Sequence, residues 1–163
     1  MNIREFSSED WNDVARIYKE GLDTGIASFE TEVPRFEVWD RKFHKACRLV
    51  ALDADQIIGF ALLSPTSKRQ VYAGVAEVTI YISKQYHSQG VGDALLKALI
   101  KSSENQGFWT LQSGIFPQNL ASIKLHEKNG FRILGVRHKV AQRDNIWYDN
   151  VVLERRSTLP KFN

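Results

Sequence analysis

A single cysteine, Cys47, in 163 residues leaves no intrachain disulfide and no thiolate metal cluster, and it sets the expectation of a reducing, intracellular compartment. The four histidines, His44, His87, His126 and His138, lack zinc-ligand spacing, so no metal is expected. No apolar run approaches the roughly 20 residues that span a bilayer. The opening "MNIREFSSEDW" carries acids where a secretory leader needs an apolar segment, and a cytoplasmic location is expected. A net charge of +3 comes without a concentrated basic stripe, and "SKRQ" (67–70) is too short to make one. Nucleic acid is therefore not an expected partner. Repeats, low-complexity tracts and linkers rich in Pro, Gly or Ser are missing too, which predicts one domain over residues 1–163. What is present is ordinary for a globular chain: 43% apolar and 25% charged residues, at a length that can bury a core.

The hydrophobic patterning predicts an α/β chain. "MNIREF" reads as an opening strand. In "SSEDWNDVARIYKEGL", Ser8 ahead of Glu9 and Asp10 marks a helix start, and Trp11, Val14, Ile17 and Tyr18 recur at helical spacing. Residues 24–36 show no period and read as a loop, followed by a helix over 37–46. "CRLVALDADQIIGFALLSP" predicts a hairpin around "DADQ", and "GVAEVTIYIS" a further strand. Val91, Leu95, Leu96, Leu99 and Ile100 then form one face of a helix that stops before Gly107. "WTLQSGIF" is a strand, and "NLASIKLHEKNGF" a helix closed by Asn129 and Gly130. "FRILGVRHKV" and "NIWYDNVVLER" follow as strands flanking the turn "RDN". The order is β-α-α-β-β-β-α-β-α-β-β, with mixed strand directions.

Gly90-Val91-Gly92, between strand and helix, is the strongest pointer to chemistry. A dinucleotide fold needs a third glycine where Leu95 stands, and an acid where Thr110, Leu111 and Gln112 stand. No P-loop string exists. What remains is a pyrophosphate loop, with backbone N–H groups from Ser88 to Asp93 aimed at a ligand and the helix dipole behind them. A plain strand-to-helix turn uses the same residues. Asp93 is out of place in a phosphate site, unless it turns to solvent.

"HSQGVGDALL" resembles motif A of the GNAT superfamily of acyl-CoA N-acyltransferases, and "NLASIKLHEKNGF" resembles that family's second motif some thirty residues on. "IASFETE", "KRQVY", "AEVTIYIS" and "IWYDNVVLER" are similar to the branch that acetylates phosphinothricin and methionine sulfoximine. The resemblance covers nearly the whole chain. It implies the GNAT fold, a mixed, mostly antiparallel sheet flanked by helices. It also implies an acetyl-CoA-dependent N-acetyltransferase, usually a homodimer, acting on the α-amino group of a small amino-acid analogue by direct attack in a ternary complex. An acetyltransferase for peptides, protein N-termini or other amines, and a non-catalytic acetyl-CoA sensor, are the alternative functions. Three departures stand out. His87 replaces the usual Gln or Arg at the first motif position, His126 stands where many members carry Tyr, and Val33 is inserted before Pro34.

Carried over residue by residue, the resemblance assigns Glu77 as the base, through water, because most free α-amino groups are protonated at neutral pH. His126 is the general acid for the thiolate; a packed helical histidine is the competing reading. Ile80, Tyr81 and Ile82 lie on the strand that binds the pantetheine arm, with a backbone N–H at Ile80 for the thioester oxygen. Ser88, Gln89, Gly90, Val91, Gly92 and Asp93 form the pyrophosphate turn. Asn119 and Ser122 meet the pantetheine and sulfur, although Asn119 is also a natural N-cap. Phe29 walls the acceptor pocket, and Arg69 and Tyr72 meet the acceptor's anionic end. Trp147 and Tyr148 are assigned to core or dimer contacts.

Overall fold

The long apolar run that predicts the central hairpin becomes the middle of one seven-stranded sheet in the computed structural model, which describes residues 1–163. In chain order the elements are β1 (Asn2–Glu5), α1 (Trp11–Asp23), α2 (Phe36–Lys42), β2 (Leu49–Asp53), β3 (Gln56–Pro65) and β4 (Val75–Ile82). They continue with α3 (Val91–Asn105), β5 (Thr110–Ile115), α4 (Leu120–Lys128), β6 (Arg132–Arg143) and β7 (Ile146–Arg156). The strands lie in the order β1-β2-β3-β4-β5-β7-β6. Every neighbouring pair is antiparallel except β4 and β5, which run parallel. This is the α/β element order and the mixed, mostly antiparallel sheet that the sequence predicts.

β3 is buried on both faces because helices cover both. Ile58, Ala61 and Leu63 pack with Leu95, Leu96 and Leu99 of α3. Ile57, Phe60 and Leu62 pack with Val14, Ile17 and Leu22 of α1 and Trp39 of α2. A β-bulge in the pairing with β2, at Ala51/Leu52, shifts the alternation between Ile57 and Phe60.

Three boundaries differ from the sequence reading. α1 starts only at Trp11, after a 3-10 turn over Ser8–Asp10 that Ser7 caps: Ser7 Oγ accepts from the Glu9 N–H, and the Asp10 carboxylate accepts from the Ser7 N–H at 2.7 Å. Asp10 also takes both guanidinium nitrogens of Arg4, at 2.7 and 2.8 Å, so a local box and a long-range ion pair share one carboxylate. α2 ends at Lys42 rather than Ala46. Phe43 turns extended, and the Arg48 guanidinium donates to the carbonyls of Asp40, Phe43 and His44, replacing the N–H donors a further turn would have brought. β6 runs on to Arg143, past its predicted end at Val140, and β7 begins at Ile146, so the two meet at Asp144-Asn145. Both residues have positive φ, as a two-residue hairpin turn of primed type requires.

Candidate active site

β4 and β5 pair only at Val75–Glu77 with Thr110–Gln112 and then separate, β4 following β3 to Ile82 while β5 follows β7 to Ile115. The separation opens a cleft of about 1040 Å³. Its β4 wall is a free strand edge. The Ser83 N–H donates to the Ile58 carbonyl of β3, so by the twofold period of a strand Tyr81 and Thr79 also turn their backbone groups to β3. Val78, Ile80 and Ile82 turn theirs into the cleft. The Ile82 carbonyl there accepts from His87 Nε2 at 2.9 Å. Tyr81, between them, spends its ring on the core, edge-on to Tyr18 and stacked on Phe60, and its hydroxyl donates to the Ala27 carbonyl at 3.3 Å.

At the Ile82 end the chain turns through Ser88 (φ 60°) and Gly90 (φ 82°) into α3. At Gly90 the left-handed conformation is what selects glycine, since a Cβ added there meets nothing. Gly92 has a different reason: a Cβ would sit 3.1 Å from Leu125 Cδ2, so its absence lets α4 pack against the start of α3. The first intrahelical bond runs from the Ala94 N–H to the Gly90 carbonyl, and no side chain caps the helix. The N–H groups of Val91, Gly92 and Asp93 therefore face the cleft end without helical acceptors. Gln89 turns its amide to the Gln85 carbonyl at 2.8 Å.

Asp93, the misfit in a phosphate site, is neutralised from outside it. Its carboxylate takes Lys97 Nζ at 2.7 Å, Asn129 Nδ2 at 2.9 Å and Lys128 Nζ at 3.1 Å. These partners, Lys97 foremost, hold its pKa well below the usual carboxylate range. A depressed pKa stabilises the fold above the unfolded value, and that contribution is lost as pH falls through the folded one. Asp93→Asn should therefore melt below the wild type at neutral pH, and the gap should start to close below about pH 4. Melting curves from pH 7 to pH 2 check this; a gap independent of pH counts against it.

α4 supplies the opposite wall. Asn119 Oδ1 accepts from the Ser122 N–H at 3.2 Å, which leaves the Asn119 amide nitrogen free to donate. His126, only 1% exposed, lines the cleft and donates from Nδ1 to the Ser122 carbonyl at 2.7 Å, while its buried Nε2 has no partner. Burial lowers its pKa and favours the neutral ring.

Glu77 sits at the far end of the free edge. Five residues of strand, roughly 17 Å, separate it from Ile82. Solvent reaches its carboxylate through the cleft, yet the surrounding walls desolvate it enough to raise its pKa, against the opposing charges of Lys42 and Arg137. Phe29 packs edge-on against Phe116 at 4.6 Å, and Phe116 stacks on Tyr148 at 5.2 Å. The loop carrying Phe29 is strapped down by Arg143 of β6, which donates to the Ser28 carbonyl at 2.9 Å and the Leu22 carbonyl at 2.7 Å.

Arg69 and Tyr72 do not join this assembly. They lie on an exposed turn between β3 and β4, outside the cleft, with the guanidinium 5.3 Å from the tyrosine ring. Lys42, Arg137, Phe116 and Asn150 line the cleft and were not singled out from the sequence. Two cations 95 residues apart carry no local pattern that could have flagged them. Trp147 is 55% exposed on the outer hairpin.

Comparison with known proteins fits this geometry. The family model described as "Acetyltransferase (GNAT) family" matches residues 11–131. A phosphinothricin N-acetyltransferase of Streptomyces viridochromogenes is 28% identical over 164 aligned positions, 98% of this chain and 90% of that protein. An L-methionine sulfoximine/L-methionine sulfone acetyltransferase of Pseudomonas aeruginosa is 33% identical over 102 residues, 62% of this chain and 59% of that one. Among solved structures, a phosphinothricin acetyltransferase from Sinorhizobium meliloti in complex with acetyl-CoA superposes with a TM-score of 0.86 at 27% identity, over 95% of this chain and 87% of that one. A ribosomal-protein-alanine N-acetyltransferase from Brucella melitensis reaches 0.88 at 24% identity, over 96% of this chain and all of that one, a likeness of fold.

Proposed function

The chain belongs to the acetyltransferase (GNAT) family and is an acetyl-CoA-dependent N-acetyltransferase, and from that premise we propose that its acceptor is the α-amino group of a small amino-acid analogue of the phosphinothricin, methionine sulfoximine or methionine sulfone type. The observation that carries this reading is the continuous free edge of β4, joined at one end to the uncapped start of α3 and ending at the other on Glu77. An extended arm with a pyrophosphate at one end fits that layout. The names of these relatives, one matched over nearly its whole length and one over part of it, suggest the acceptor class.

Acetyl-CoA supplies the acetyl group as a thioester; the chain supplies position and protons. The N–H groups of Ser88 to Asp93 hold the pyrophosphate, and Gly90 gives the turn its shape. The edge groups of Ile80 and Ile82 align the arm, and Asn119 and Ser122 hold it from α4. The Ile80 N–H meets the oxygen on which negative charge develops. Tyr81 contributes through the packing that fixes this strand. Glu77, through water, takes the proton from the substrate ammonium and leaves a nucleophilic amine. His126 is the proton donor to the departing sulfur. Because its Nδ1–H is committed and its ring neutral at rest, Nε2 first takes the second proton of the attacking nitrogen and then passes it on. Direct attack in a ternary complex needs no covalent enzyme intermediate, and the buried Cys47, with its thiol pKa raised by burial, suits no such role.

Exposed Val136, Ile146 and Trp147 on the β6–β7 hairpin favour a homodimer through that hairpin. No helix is long and apolar enough to cross a membrane, and a cytoplasmic location belongs to the same proposal.

A panel of amines with acetyl-CoA tests the acceptor. Methionine sulfone, methionine sulfoximine and phosphinothricin should turn over with kcat/KM above those of peptides and polyamines. Robust peptide turnover without any amino-acid turnover would place the activity with protein N-termini instead. Acetyl-CoA binding with no acceptor at all would point to a sensor.

A further inference from the structure

The acceptor end of the cleft contains two cations that no internal anion claims. Lys42, the last residue of α2, and Arg137, on β6, both line it, and neither forms an ion pair or a side-chain hydrogen bond. Other lysines and arginines are unpaired as well, but these two are the only ones that line the cleft. Each is close enough to Glu77 for its charge to act on that carboxylate, which puts both beside the proposed base. Glu30 and Glu32 border a small side pocket that Lys42 also lines, without approaching it to ion-pair distance. The phosphate turn lies roughly 17 Å away along β4, too far for these cations to serve it.

An α-amino acid carries its carboxylate two bonds from the nitrogen that must reach Glu77. We propose that Lys42 and Arg137 form the anion subsite of the acceptor, binding the carboxylate adjacent to the reacting amine. The guanidinium presents a planar fork to the carboxylate, and the ammonium supplies a point charge. The arrangement would select acceptors with an anion next to the amine and disfavour plain amines. It also explains why an acid can work beside two cations: the incoming carboxylate offsets their charge, so Glu77 keeps its affinity for a proton when substrate is bound. This subsite rests on the acceptor class proposed above.

The test compares methionine sulfone with its α-carboxamide as acceptors for the wild type, Lys42→Met, Arg137→Gln, the double variant and the conservative Arg137→Lys. The readout is the acid-to-amide ratio of kcat/KM, which cancels any change in Glu77 itself. Each single neutral variant should lower the ratio about tenfold or more, mainly through acceptor KM, and the double variant further. Arg137→Lys should recover part of the loss, and the KM for acetyl-CoA should stay put. An unaltered ratio in the double variant, with its melting temperature retained, overturns the subsite. So does a rise confined to the KM for acetyl-CoA, which would assign the cations to that ligand. A wild type that acetylates no α-amino acid overturns the acceptor class, and the subsite with it; the two failures are thus separable.

Discussion

Replacing Glu77 by glutamine should lower kcat/KM for the preferred acceptor by about 10²- to 10⁴-fold, the range a positioned general base contributes. Glutamine keeps the shape and the strand register opposite Ser64 and Gln112, and removes only the ability to take a proton. The pH profile should change form as well as height. With Glu77 as the proposed base, wild-type activity should persist well below the amine's own pKa. Desolvation raises the Glu77 pKa, against the charges of Lys42 and Arg137, so the acidic limb should lie above the ordinary glutamate range. In the variant the rate should instead follow ionisation of the free amine, rising about tenfold per pH unit until roughly pH 8.

Stability gives an independent control. A carboxyl whose folded pKa is raised contributes stability that is complete below the unfolded value and lost as pH rises through the folded one. At neutral pH the ionised Glu77 is therefore a mild liability, and Glu77→Gln should melt no lower than the wild type. Equal profiles for the two proteins would remove Glu77 from the chemistry. A lower melting temperature would show that the residue serves the fold.

The largest stability effect is expected at Trp39. Only 2% of it is exposed, and its ring lies within 5.0 to 6.2 Å of Trp11, Phe6, Phe43 and Phe36. The Arg48 guanidinium lies 5.2 Å from the same ring while holding the carbonyls at the end of α2. Trp39→Ala thus removes the centre of an aromatic cluster and part of the support for the arginine that ends the helix. Truncations of this kind cost about 3–5 kcal/mol, which for a domain of this size lowers the melting temperature by roughly 10 °C or more. Trp39→Phe should recover much of it. Because α2 delivers Lys42, and Phe43 just after it, to the cleft, the acceptor KM should rise in the surviving folded enzyme, while acetyl-CoA, proposed to lie toward the opposite end of β4, should be less affected. A shift of under about 3 °C in calorimetry would mean the cluster relaxes around the gap.

Local signals were enough for most of the frame. Apolar alternation marked the β2–β3 hairpin, helical spacing marked α1 and α3, and Asn129-Gly130 marked the end of α4, because each is set by neighbours within a turn or two of chain. The glycines of the α3 turn were legible for the same reason, and only their division of labour was not: left-handed φ at Gly90, room for Leu125 at Gly92. The motif resemblance then supplied the family, because two local motifs in order are specific.

The acceptor end was a different matter. At the turn end too, nothing near Asp93 in sequence announces Lys128 and Asn129, whose ammonium and amide hold its carboxylate across 35 and 36 residues. Arg69, assigned to the substrate through its neighbours in "KRQVY", lies over Tyr72 on an exposed turn outside the cleft. Lys42 and Arg137 come from a helix end and a distant strand, and they meet only because β4 and β5 part after three paired residues. The sequence by itself determined the elements and the glycine turn, carried by short-range backbone preference and hydrophobic period, and the family, carried by two local motifs in order. Tertiary structure alone decided which charges share the cleft with Glu77, because Coulomb and burial effects depend on distance through space and not along the chain.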